Sequence, residues 1–221
     1  MTGAPLVYQA VRNEGGKAFE DWVRAPRAAF VGEEWSLDGP VEAVVHFAEA
    51  ASALRLGVAP GAGTSDDAST PAPIRVLAKG GAVVRPDLMR LLGGVEAQQG
   101  RKDRGGFEAR ARDATFLIVP GADGSNDFSF AALRGEASFR SSGLTADGDV
   151  MTFDRPASTL TLYNERPAPV RFRVEGGFEA PTVVGATGLV AVFGKRTVYV
   201  TVKDVSTILE EENAAGAGER K

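Results

Sequence analysis

The chain has 221 residues, 25 Lys and Arg against 29 Asp and Glu, a formal net charge of −4, and a hydrophobic fraction of 43%. That is too apolar and too evenly charged for a disordered chain, and long enough for one sizeable core. No apolar run approaches the ~18 residues of a membrane helix, and Met1-Thr2-Gly3-Ala4-Pro5 does not open a secretory signal. The acidic balance argues against nucleic acid as a bulk partner. Cysteine is absent, so core burial or partner subunits must supply stability.

Along the chain, Lys17 to Arg24 follows Gly15-Gly16 and carries Phe19, Trp22 and Val23 at i, i+3 and i+4, the spacing of a short helix. Arg27 to Leu37 and Val41 to Leu56 read as extended across the turn Asp38-Gly39-Pro40, although the Ala-rich stretch from Ala48 to Leu56 also suits a helix. Gly57 to Pro73 is a run of small, polar and Pro residues, expected as a mobile loop. After a strand at Ile74 to Ala78, Pro86 to Gln98 predicts a second helix. Pro86 fits its first turn and Leu88, Leu91, Leu92 and Val95 make its apolar stripe, against Gly93-Gly94.

From Phe107 onward short strands follow one another, separated by Gly, Pro, Asp and Asn clusters. Val170 to Val174 and Thr197 to Val202 alternate apolar and polar residues, the mark of strands with one buried face. Such spacing predicts a mainly β fold, an antiparallel β-sandwich of which the jelly roll is one form, with two or three short helices. The third helix would start at Ser206 and fray into the tail. The expected organisation is residues 1–56 as a helix and strands joined to the sandwich, 57–73 as a loop, 74–205 as the sandwich and 206–221 as a tail.

Chemistry-bearing clusters are sparse. His46 is the single histidine, open to a general-base or pH-sensing role or to a half-buried strand position. With no Cys, transition-metal sites are not expected. Asp123, Ser125 and Asp127 alternate as in a calcium loop. Phe128 stands where an EF-hand needs Gly, and Arg134 where it needs Glu, so an Asx-rich turn is the competing reading. Asp147-Gly148-Asp149 poses the same choice. Arg101, Lys102 and Arg104 form a basic concentration that could meet an acidic surface or simply be solvated. Trp22 and Trp35 are the residues on which sugar rings could stack. Tyr8, Tyr163, Tyr199 and His46 are the candidates for proton abstraction, and none lies in a catalytic motif. No cofactor and no enzymatic activity are expected.

Thr152-Phe153, the stretch STLTLYNERPAPVRFRVEGG from Ser158 to Gly177, and a closing strand to Val202 pair a strand ending at Asn164 with a Pro167-Ala168-Pro169 turn. Residues 152–202 thus resemble the β-sandwich modules of tailed-phage virion structural proteins. The resemblance implies a capsid, decoration or tail component of a virion, acting through association with itself or other virion subunits. The absence of catalytic motifs adds the expectation that it is not an enzyme, and the expected place is the virion or cytoplasm, with no membrane partner. The alternative expectation is a carbohydrate-binding sandwich or an accessory domain of a polysaccharide-active enzyme.

Overall fold

The fold is taken from a computed structural model that describes residues 6–14, 17–46, 73–100, 106–120, 126–141, 143–166, 168–174, 182–194 and 197–205. These form one antiparallel sheet of 18 strands. In chain order they are β1 (Leu6–Glu14), β2 (Lys17–Ala25), β3 (Arg27–Val31), β4 (Glu34–Asp38), β5 (Val41–Val45), β6 (Ile74–Ala78), β7 (Gly81–Arg85), β8 (Leu88–Leu92) and β9 (Val95–Gln99). There follow β10 (Phe107–Ala111), β11 (Asp113–Pro120), β12 (Asn126–Ser141), β13 (Leu144–Asp154), β14 (Thr159–Tyr163), β15 (Arg171–Val174), β16 (Val183–Val184), β17 (Ala186–Phe193) and β18 (Val198–Val205).

The pairings resolve this list into a meander folded along a line. One leaf runs β1-β2-β5-β6-β9-β10 and continues into the C-terminal half of β12 and the N-terminal half of β13, then β15 and β16. The other runs β3-β4-β7-β8-β11 into the N-terminal half of β12 and the C-terminal half of β13, then β14, β17 and β18. We call these leaf A and leaf B. Most transverse strands break where they cross the fold line, at Pro26, Gly39-Pro40, Lys79-Gly80, Gly93-Gly94 and Arg112, whereas β12 and β13 pass through it.

The fold line is held by backbone hydrogen bonds that each have a glycine on one side. Gly80 N–H donates to Leu92 O at 2.8 Å, Lys79 N–H to Gly94 O at 3.1 Å, Gly94 N–H to Arg112 O at 2.7 Å and Arg112 N–H to Gly135 O at 2.8 Å. Gly93 adopts φ +72°, and a Cβ there would stand 2.7 Å from Gly80 Cα. In β12 the register shifts between Arg134 and Ala137, with Gly135 and Glu136 at φ 77° and 54°. A bulge of this kind bends a strand without ending it. Asp113 ties the line together, its carboxylate accepting from Arg112 Nε at 2.9 Å and from Gly93 N–H at 3.1 Å. The Arg112 hydrogen bond holds the Asp113 carboxyl below its ordinary range; partial burial opposes it and the Gly93 N–H reinforces it.

Apolar side chains line the faces that the leaves turn toward each other. The core gathers Phe107, Phe139, Leu144 and Phe172 of leaf A with Phe128, Phe153, Leu160 and Leu189 of leaf B. Phe107 and Phe139 stack with ring centroids 5.5 Å apart, and Phe116 meets Phe128 edge-on at 6.1 Å. Pairs of this kind add roughly 0.5–1.5 kcal/mol beyond area burial.

Mainly β and antiparallel holds, and two expected details do not. In place of two separate sheets there is one continuous sheet, because β12 and β13 belong to both leaves. Among the described residues there is no helix. Lys17 to Arg24 lies in β2, where Trp22 and Val23 point to opposite faces and the strand pairs with both β1 and β5. Pro86 to Gln98 forms β8 and β9 on either side of the Gly93-Gly94 corner. Gly57 to Ala72 of the expected loop and the Ser206 helix lie outside the described residues.

Candidate apolar ligand site between the leaves

Cross-strand register places the inner face of leaf B in long rows. One runs Trp35, Val84, Met89, Phe116, Ala131, Phe153 and Leu160. On leaf A the facing row runs Val23, Ala43, Val76, Ala97, Ala109 and Phe139. Large side chains on leaf B therefore look across at alanines on leaf A. The leaves stay apart there because the flanking Phe107 and Phe139 are bulky, and a partly open cavity of about 120 Å³ remains. Its lining includes Ala43, Ala97, Ala109, Met89, Phe116 and Phe128, and among the described residues Arg110 is the one charged residue beside it. By strand alternation Arg110 turns outward, where it pairs with Glu108.

A second cavity, of about 260 Å³, lies at the β1 and β3 end, lined by Tyr8, Val23 and Ala25 of leaf A and Trp35, Leu37 and Val84 of leaf B. Its strands β2 and β7 neighbour β5 and β8 of the first cavity, so the two spaces lie end to end between the leaves. Trp35 closes this end, edge-on to Tyr8 at 6.0 Å and to Phe30 at 5.3 Å.

The rims, away from the fold line, are polar. On leaf A, Asp21 Oδ1 accepts from the His46 backbone N–H at 2.7 Å and lies 2.9 Å from His46 Nδ1, beside the groove-lining Val45. On leaf B, the Arg155 guanidinium carbon lies 5.9 Å from the centroid of Phe128, itself 4% exposed.

The structure separates the residues singled out from sequence. Trp22 stands on the outer face of leaf A beside Glu42, Arg75, Gln98 and Glu108, while Trp35 faces inward, so the two indoles share no platform. His46 is engaged with Asp21 and meets no nucleophile in that contact. Tyr8 packs on Trp35, and Tyr199 is 67% exposed on the outside of leaf B. Asp147 pairs with Arg140, and Asp149 Oδ2 accepts from Glu165 N–H at 3.1 Å. Asp127 lies in β12 opposite Val119, while Asp123, Ser125, Arg101, Lys102 and Arg104 lie outside the described residues. The groove itself was missed from sequence. The alanines at 43, 97, 109, 111 and 131 that line it gave no signal, because buried strand positions elsewhere, such as Ala78, Ala146 and Ala191, are alanine too.

No protein-family model and no curated protein matches the chain. Among solved structures it is similar to the crystal structure of LptH, the LptA-homologous periplasmic component of the conserved lipopolysaccharide transport device from Pseudomonas aeruginosa. The identity is 10% and the TM-score 0.45, over 70% of this chain and 94% of that one. The virion assembly component expected from sequence is corrected to this extent: what the comparison found is a component of a periplasmic transport device, not a virion protein.

Proposed function

We propose that this protein is a carrier, rather than an enzyme, that holds a linear apolar ligand such as an acyl chain lengthwise between its leaves. The observation that carries the reading is the pair of apolar cavities that follow one another between the leaves, the inner one walled by alanines and aromatic rings. An apolar cavity of about 150 Å³ stays dry and takes a benzene-sized guest, so the inner space suits about six carbons and the outer one extends it. At ~0.8 kcal/mol per buried methylene, about eight methylenes contribute roughly 6 kcal/mol, an affinity in the tens of micromolar.

Calorimetric titration with dodecanoate tests this. Saturable binding with a negative heat-capacity change supports a chain entering the groove. Ala109→Phe should abolish that binding while the protein stays folded. Absence of binding to wild type at about ten times the expected Kd, combined with an Ala109→Phe variant that only gains thermal stability, would identify the space as loose packing and overturn the proposal.

A second copy is the partner best suited to the ends of the sheet. Edge strands β1 and β3 expose Val7, Val11, Phe30 and Val31, and edge strand β18 exposes Tyr199 at the other end. Long apolar edges of this kind favour strand addition between copies. Sedimentation velocity across a hundredfold range of concentration should show association, and a single monomeric species throughout would refute it.

A further inference from the structure

We infer that the ligand is a single-chain amphiphile bound in one direction only, its apolar end against Phe139 and Phe153 and its polar end at Tyr8 and Trp35, where the leaves end. The inference rests on the carrier reading above and adds a direction to it.

The two ends of the space between the leaves differ in what lies beyond them. The inner cavity reaches Phe139 on β12 and Phe153 on β13. Past these strands the leaves close into solid core, where Leu144, Leu162, Phe172, Leu189 and Ala191 are at most 3% exposed. At the other end, β1 pairs only with β2 and β3 only with β4, so no strand among the described residues extends the two walls past them. The outer cavity is bounded there by rings instead, Trp35 at 37% exposure, Tyr8 at 53% and Phe30 at 62%. One end is a buried apolar wall and the other meets water.

The lining changes along the same direction. Among the described residues the inner cavity is walled by Ala, Val, Leu, Ile, Met and Phe, and its one polar side chain, Arg110, turns outward. Tyr8 and Trp35 line the outer cavity. Tyrosine and tryptophan combine an apolar body with a polar tip, and they suit a boundary between apolar space and water. A head group carried to the inner end would give up its hydrogen bonds to water and find none in exchange. An apolar chain end in the same place gives up nothing, and its head then stays hydrated at the aromatic end.

The test places a contact quencher at either end of the same chain. Trp22→Phe, on the outer face of leaf A, leaves Trp35 as the only indole of the full chain. Dodecanoate with bromine beside its carboxylate should quench Trp35 emission at saturation several-fold more than dodecanoate with bromine on its terminal carbon. The unsubstituted protein should give the same order over a constant Trp22 background. Stronger quenching by the terminal bromine reverses the direction and overturns the inference. Equal quenching by the two, or none from either while calorimetry shows both bound, also overturns it and leaves the groove standing. If calorimetry shows that neither binds, the carrier reading fails and this inference with it.

Discussion

Gly93→Ala tests the fold line directly, with Gly32→Ala as its internal reference. Both glycines have a left-handed backbone, φ +72° and +61°. A side chain at either costs about 1–2 kcal/mol for the backbone conformation alone. The surroundings differ. At Gly32 an added Cβ meets nothing within 4 Å, whereas at Gly93 it stands 2.7 Å from Gly80 Cα and 2.9 Å from Gly80 N. These are backbone atoms and cannot swing aside. The two corners must separate, which breaks the Gly80 N–H to Leu92 O bond of 2.8 Å and strains the Lys79 N–H to Gly94 O bond of 3.1 Å. At about 1 kcal/mol for each bond, Gly93→Ala should cost roughly 3–4 kcal/mol in all. Urea unfolding, read from the midpoint at constant m, measures both variants. Agreement of the two within about 0.5 kcal/mol would refute close apposition at the fold line.

Asn164 links three segments, accepting Asp149 N–H at 2.6 Å on Oδ1 and donating from Nδ2 to Ala168 O at 2.7 Å. Asn164→Ala should cost about 1–3 kcal/mol in chemical denaturation, and a change below 0.5 kcal/mol would remove it from the corner. Asp113 has a lowered carboxyl pKa, so its contribution is present above the ordinary carboxylate pKa of ~3.9 and is lost as pH falls through the folded value. The stability gap between wild type and Asp113→Asn should therefore be below about 1 kcal/mol at neutral pH, since the pair is partly exposed, and should close at the acid end. A gap that widens on acidification would contradict the assignment.

The strands after Phe107 were legible because their alternation is local and their turns are marked by Gly, Pro and Asn. The fold line was not. A corner such as Gly80-Gly81 or Asp147-Gly148-Asp149 has the composition of a hairpin turn, so each long bent strand reads as two short ones and a meander reads as a sandwich. The helix expected over Pro86 to Gln98 has the same origin. Met89 and Leu91 face inward on β8, and Val95 and Ala97 face inward on β9, a single odd-numbered alternation that runs through the Gly93-Gly94 corner and leaves Leu88 and Leu92 on the other face. The apolar residues 88, 91, 92 and 95 then fall at helical intervals by coincidence. Ala43 and Ala109 drew no notice because a small residue in a strand signals nothing until the residue opposite it is known.

A meander folded across its own strands grows in only one direction. Each transverse strand contacts the one before it and the one after it, and adds the same increment of wall to both sides of the interior. The molecule is in this respect close to a linear array, in which stability spreads by nearest-neighbour coupling and the terminal rungs open first. Its uninterrupted rungs, β12 and β13, then act as the rigid centre from which order propagates outward. Length becomes a matter of counting: adding or removing a pair of rungs would lengthen or shorten the space between the leaves without redesigning any existing contact.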